Sequence, residues 1–130
     1  MDCVLDTHTL IWYVNGNKRL SARARRTVDD DSVRLFVPAI CLAEARFVRT
    51  HGDPLDIEAL IVAMKGDERF RIVAIDEEIA VAAARLDSVR EIHDRIIAAT
   101  TLVLRQREMD VVLVTRDEDI SSSKVVPTLW

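Results

Sequence analysis

Four carboxylates stand where a chain of this kind can do chemistry with them: Asp6, Glu44, Asp94 and Asp117. Asp6 follows the apolar run Cys3-Val4-Leu5, and Asp117 follows Val111-Val112-Leu113-Val114 after Thr115-Arg116. A continuous apolar run that ends in polar residues reads as a buried strand of a parallel sheet. Ligands of open α/β sheets bind outside the carboxyl ends of such strands. Glu44 lies within the apolar stripe of a predicted helix, between Ile40-Cys41 and Phe47-Val48. A carboxylate in that position is costly unless a cation or hydrogen-bond donors meet it. Asp94 falls near the start of a helical stretch whose expected buried stripe is Ile92, Ile96, Ala99 and Val103. Brought together, these acids raise one another's pKa, and a divalent cation reverses that repulsion. An all-oxygen donor set suits Mg²⁺ or Mn²⁺. His8, His51 and His93 have no Cys/His spacing for zinc. The residues read as a metal-dependent nuclease site, with Asp119 as a supporting acid and His8 and His93 near enough to contact substrate.

Each acid also has a purely structural reading. Asp6 and Asp117 are good helix N-caps after strands. Glu44 can pair with an arginine if its helix is rolled. Asp94 can cap a helix or pair with Arg90, and Asp119 can simply be solvated. Convergence of four acids on one rim is the stronger signal, since each alone is weak.

The elements that must position them alternate. A strand at Cys3–Leu5 leads to a helix from about His8 to Val14, stopped by Asn15-Gly16-Asn17. An Arg-rich helix follows at about Ser21–Asp29, then a strand at Val33–Val37. Pro38 suits the first turn of a helix running to about Thr50. A helix at Leu55–Met64 and a strand at Phe70–Ile75 come next. Glu77–Arg107 has no Gly or Pro and reads as helical, with a soft point at Leu86-Asp87-Ser88 and a possible capping box from Ser88 to Glu91. The strand Val111–Val114 and a short edge strand at Lys124–Val126 close the chain. This predicts one α/β domain over residues 1–130, with a central parallel sheet of four to five strands and helices on both faces.

Composition bounds the partners. At 49% hydrophobic and 31% charged residues the chain has an ordinary globular profile. An apolar run as long as any in the chain, Ile79–Ala84, is far short of the roughly 20 residues of a membrane span. The start enters a strand directly, without the features of a secretory signal, so a cytoplasmic setting is expected. Cys3 and Cys41 sit in apolar segments and read as core residues rather than a disulfide. Net charge is −4, yet residues 1–50 hold 8 Lys/Arg against 6 Asp/Glu, while residues 51–130 hold 10 against 16. Arg23, Arg25, Arg26, Arg46 and Arg49 are the candidate contacts to a phosphate backbone.

Four blocks carry a resemblance. Val4-Leu5-Asp6-Thr7-His8-Thr9-Leu10-Ile11-Trp12, Ile40-Cys41-Leu42-Ala43-Glu44, His93-Asp94-Arg95-Ile96-Ile97-Ala98-Ala99-Thr100-Thr101 and Leu113-Val114-Thr115-Arg116-Asp117 resemble the motif blocks of PIN-domain nucleases. The likeness is nearest to VapC-type toxins of toxin–antitoxin pairs and spans the whole chain. The ending Val126-Pro127-Thr128-Leu129-Trp130 is similar to one branch of that group. Before Asp94 the chain departs from the pattern: Glu91-Ile92-His93 lacks a Pro frequent there, and the connection from Leu86 is about one residue short. The resemblance implies a Mg²⁺- or Mn²⁺-dependent endoribonuclease with Asp6, Glu44, Asp94 and Asp117 as metal-site acids and Thr115 beside them. Cleavage would leave a 5′ phosphate and a 3′ hydroxyl. It also implies an RNA substrate, a homodimer and a cognate VapB-type antitoxin. Two other readings stay open. One is a PIN-fold module that binds RNA or protein without catalysis. The other is a phosphohydrolase with Asp6 as nucleophile, although His8 stands where such enzymes usually carry a second acid.

Overall fold

Five short strands pair in the order β3-β2-β1-β4-β5, all parallel, in the computed structural model, which describes residues 1–48 and 54–130. They are β1 (Asp2–Leu5), β2 (Leu35–Pro38), β3 (Phe70–Val73), β4 (Val111–Val114) and β5 (Thr128–Leu129). β1 lies at the centre, with Cys3 opposite both Leu35 and Val112. Every residue of β2 and β4 is buried, as the unbroken apolar runs require of strands covered on both faces. At the β3 edge, Arg71 and Ile72 are exposed.

Among the described residues seven helices connect the strands: α1 (Thr7–Val14), α2 (Ala22–Asp29), α3 (Ala39–Ala45), α4 (Ile57–Lys65), α5 (Glu77–Ala84), α6 (Ile92–Gln106) and α7 (Glu118–Ser123). The strand order runs outward from β1 in both directions. Right-handed crossovers therefore put α1–α4 on one face and α5–α7 on the other. Among the described residues Leu5, Leu10, Ile11, Leu35, Ile79, Ile97, Leu113 and Ile120 are the largest fully buried side chains, drawn from both layers and the sheet between them.

Aspartates start four of the helices. Asp6, Asp56, Asp76 and Asp117 each accept a hydrogen bond from the amide three residues on, at 2.8, 3.0, 2.9 and 3.0 Å. Ser21 does the same for Ala24 at 3.1 Å. Each cap satisfies an amide that the first helical turn leaves free.

Several boundaries differ from the sequence expectation. Pro38 ends β2 instead of opening a helix, and α3 stops at Ala45. Arg49, Thr50 and His51 lie outside the described residues. Phe47 is 83% exposed, so the expected stripe through Phe47 is not a buried one; Cys41, Leu42 and Ala45 form the buried face of α3. The long helical stretch breaks over residues 85–91, where Leu86 and Val89 are buried. Glu91 precedes α6 without a side-chain cap bond, so the Ser88–Glu91 capping box does not form there. Ile92 is 56% exposed, and α6 buries Ile97, Ala98, Ala99, Thr100, Thr101, Val103 and Leu104 instead. Thr100 and Thr101 satisfy their hydroxyls on the Ile96 and Ile97 carbonyls at 2.8 and 3.2 Å, which lets that face turn inward. The last strand follows Pro127 instead of preceding it.

Candidate functional site

β1 and β4 are neighbours, but the chain leaves them toward opposite faces. A crevice opens at such a switch point, outside the carboxyl ends of the two strands. Asp6 stands at the end of β1 and Thr115 at the end of β4. The Asp6 side chain is 7% exposed. Its Oδ1 accepts from the Thr9 amide at 2.8 Å, and its Oδ2 accepts from the Thr115 hydroxyl. Thr115 Oγ1 in turn accepts from the Asp117 amide at 3.0 Å, and Thr9 Oγ1 donates to the Val114 carbonyl at 2.7 Å. The end of β1 is thus laced to the end of β4 by side chains, beyond the sheet's own ladder.

Two helices supply the other acids. Glu44, at the last turn of α3, accepts at Oε1 from the Thr7 hydroxyl at 2.9 Å. Its Oε2 lies 3.7 Å from His93 Nδ1. Among the described residues its partners are a threonine of α1 and a histidine of α6, and none of the arginines that its structural reading required. Asp94 lies in the first turn of α6, where the helix dipole favours an acid.

Asp6, Thr7, His8, Trp12, Glu44, Val48, Asp94, Ile97, Arg116, Asp117 and Glu118 line one cavity of about 490 Å³. All four proposed acids are in it. Burial pushes the Asp94 carboxyl up to about 6, helped by the charges of Asp117, Glu44, Glu91 and Asp6. Burial also raises Asp6, against the hydrogen bonds from Thr115 and Thr9. A carboxyl raised by burial and by neighbouring acids, as Asp94 is, sits in the electrostatic setting a divalent cation relieves. The donors are all oxygens, which fits Mg²⁺ or Mn²⁺. Among the described residues no three His, Cys, Asp or Glu side chains form a ready ligand shell, so the acids ring the cavity without closing on a point.

The other candidates fall elsewhere. Asp119 accepts from the Arg90 amide at 2.9 Å and approaches Arg90 Nε at 3.4 Å. It pins the α5–α6 connection to α7 and lines a smaller neighbouring cavity with Asp94 and Asp117. Arg23, Arg25, Arg26 and Arg46 do not line the main cavity, and Arg25 instead donates to the Asn17 carbonyl at 3.1 Å. Arg49 lies outside the described residues. Among the described residues the arginine that lines the cavity is Arg116, which stands in the motif block but was not among the expected phosphate contacts. Its adjacency to Thr115 and Asp117 was the available signal. Trp12 was missed too, although it shares a helix face with His8 four residues earlier. Cys3 and Cys41 are free and buried, and Cys41 Sγ donates to the Leu5 carbonyl at 3.6 Å. Among the described residues, no helix is long and apolar enough to cross a membrane.

Solved structures share this architecture. The FitAB complex with an IR36 DNA fragment contains a chain 22% identical to this one, with 98% of this chain and 93% of that one covered and a TM-score of 0.62. VapBC2 from Rickettsia felis, bound to a promoter DNA fragment, matches at 14% identity over 100% and 99% of the two chains, with a TM-score of 0.70. A toxin–antitoxin complex from Klebsiella pneumoniae matches at 18% identity over 99% and 97%, with a TM-score of 0.67. At these identities the likeness speaks for the fold. No protein of curated function matches the chain. The sequence pattern of the PIN domain matches residues 3–124, nearly the whole chain, and the protein belongs to the PIN domain family.

Proposed function

We propose that the protein is a Mg²⁺- or Mn²⁺-dependent endoribonuclease and the toxin half of a toxin–antitoxin pair. The observation that carries the nuclease reading is the cavity at the β1/β4 switch point, where Asp6, Glu44, Asp94 and Asp117 face one space and load Asp94 with their charge. Asp6, Asp94 and Asp117 would hold the metal, with Glu44 as a further ligand, directly or through a water. A divalent ion held there supplies positive charge against the scissile phosphate and makes a water more acidic.

The chain's own residues do the positioning. Thr9 and Thr115 fix both oxygens of Asp6, and Thr7 fixes Glu44 with its second oxygen facing His93. Arg116 is placed to pair with a phosphate oxygen, as a guanidinium does well. Asp6 is a poor candidate for a covalent nucleophile: it is almost fully buried, with both oxygens engaged and its proton affinity raised.

The toxin reading draws on the neighbours named above, one of which is a toxin–antitoxin complex by description and another a VapBC2 complex. It supports a VapB-type antitoxin as partner, and the family resemblance implies a homodimer as the assembly. An antitoxin peptide that blocks an acidic cavity should present an Arg or Lys to the carboxylates.

The test is incubation with single-stranded and hairpin RNA in Mg²⁺, Mn²⁺ or EDTA, with the ends of the fragments identified by mass spectrometry. Metal-dependent internal cleavage leaving 5′ phosphates, absent in Asp6→Asn, is the expected result. RNA binding without cleavage under every metal condition would mean a non-catalytic binding module.

A further inference from the structure

One wall of the cavity is aromatic, and the acid chemistry leaves it unused. His8 and Trp12 lie one turn apart on α1, with ring centroids 5.4 Å apart and planes inclined by 50°. Trp12 also meets Trp130, at 5.7 Å and 61°, an edge-on contact that ties α1 to the residue after β5. His8 is exposed and Trp12 partly so, and both line the space shared by the four acids. Val48 and Ile97 complete the apolar lining, and Arg116 is its cation. The space therefore offers aromatic rings, a positive charge and a carboxylate rim together.

We propose that the Trp12–His8 wall is a stacking platform for one unpaired nucleobase next to the phosphate held at the acid rim. The proposal rests on the nuclease reading for the phosphate, and on the aromatic geometry for the base. A nucleotide is the ligand that matches all three features: a neutral ring with a free π-face, and a phosphate one sugar away. Stacking is tolerant of base identity. A base inside a duplex is already stacked on both faces, so the platform selects single strands, loops or ends. Trp130 holds the Trp12 ring in place before a ligand arrives, which lowers the ordering cost of binding.

The chain has two tryptophans, so Trp130→Phe leaves Trp12 as the sole indole while keeping a ring against it. The probes are adenosine 5′-monophosphate and ribose 5-phosphate, titrated in Mg²⁺ and followed by fluorescence. Saturable quenching by the nucleotide and none by the sugar phosphate is expected. His8→Ala in that background should weaken the nucleotide several-fold, and Trp12→Leu in the unmodified chain should weaken it on the order of tenfold or more. Trp12→Phe should recover most of that loss. If Trp130→Phe does not fold, the two indole N–H signals of the unmodified chain give the same comparison by NMR. Equal binding of the two probes, or an unresponsive Trp12, overturns the platform. RNA cleavage by a chain whose Trp12 does not respond leaves the nuclease reading standing without it. A responsive Trp12 with no cleavage in any metal keeps the platform and removes the nuclease.

Discussion

The Thr115 hydroxyl donates to Oδ2 of Asp6, so a residue at the end of β4 sets the orientation of the carboxylate at the end of β1. These residues are 109 positions apart in sequence. Both are buried, at 2% and 7% exposure. Removing the donor leaves a buried carboxyl oxygen without its partner. Thr115→Val should therefore destabilise the chain by about 1–3 kcal/mol, the cost of an unmet buried polar group. Thr115→Ser should restore most of it. Urea unfolding of the three proteins measures this.

Asp117 has two roles that substitution can separate. Its Oδ1 caps α7 at Ile120, and the same side chain faces the acid cavity. Asn keeps the capping oxygen but loses the charge. Asp117→Asn should keep its melting temperature and lose metal-dependent RNA cleavage. Asp117→Ala should lose cleavage and also about 1 kcal/mol of stability with the cap. Wild-type cleavage by Asp117→Asn would remove Asp117 from the catalytic set.

Glu44→Gln tests a side chain whose partners are Thr7 and His93. An amide oxygen still accepts from Thr7, so the stability change should stay within about 1 kcal/mol, the net worth of an ordinary hydrogen bond. Cleavage should fall sharply. The opposite pattern, a large loss of stability with cleavage retained, would mark Glu44 as a structural residue.

Asp94 gives the metal-free chain a pH dependence. Its carboxyl is raised from 3.8 to about 6 by burial first, then by the neighbouring acids. A carboxyl raised on folding binds protons more tightly in the folded state. Stability should therefore fall as pH rises from about 4 to 6, then level off as far as this group is concerned. In EDTA, Asp94→Asn should flatten that slope and melt higher than wild type at pH 7. Mg²⁺ should raise the wild-type melting temperature at pH 7 more than that of the variant. Identical pH profiles for the two proteins in EDTA would show that Asp94 does not carry the strain.

Arg116 and the arginines of α2 predict different salt behaviour. Arg116 lines the cavity, whereas Arg23, Arg25, Arg26 and Arg46 do not. Arg116→Ala should weaken RNA binding and lower the slope of log affinity against log salt by about 1, as losing one phosphate contact does. Arg23→Ala/Arg26→Ala should change the slope only if the strand runs on across α2. Fluorescence anisotropy across a salt series reads both.

The sequence by itself determined the sheet and the acids. Val4-Leu5 and Val111–Val114 read as covered strands, because short runs rich in β-branched residues and bounded by polar residues suit a sheet buried on both faces. An Asp directly after such a run falls at the carboxyl end whatever the helices do. The motif blocks around Asp6, Glu44, Asp94 and Asp117 named the family for the same reason, since short-range spacing survives in the chain itself. What only the tertiary structure decided was which neighbours each acid meets. Apolar spacing through Phe47 and Val48 places Glu44 in a stripe, but α3 ends at Ala45 and Phe47 faces solvent. The turn at Leu86–Glu91 was legible as a soft point, yet its closure depends on Asp119 accepting from the Arg90 amide, a contact across 29 residues. Trp12 and Trp130 sit near opposite ends of the chain and meet because β5 lies beside β4, with β1 on the other side of it. Spacing along the chain carries periodicity and caps, which are local. Pairing across the sheet is set by the order in which parallel strands dock, and no local pattern records that order.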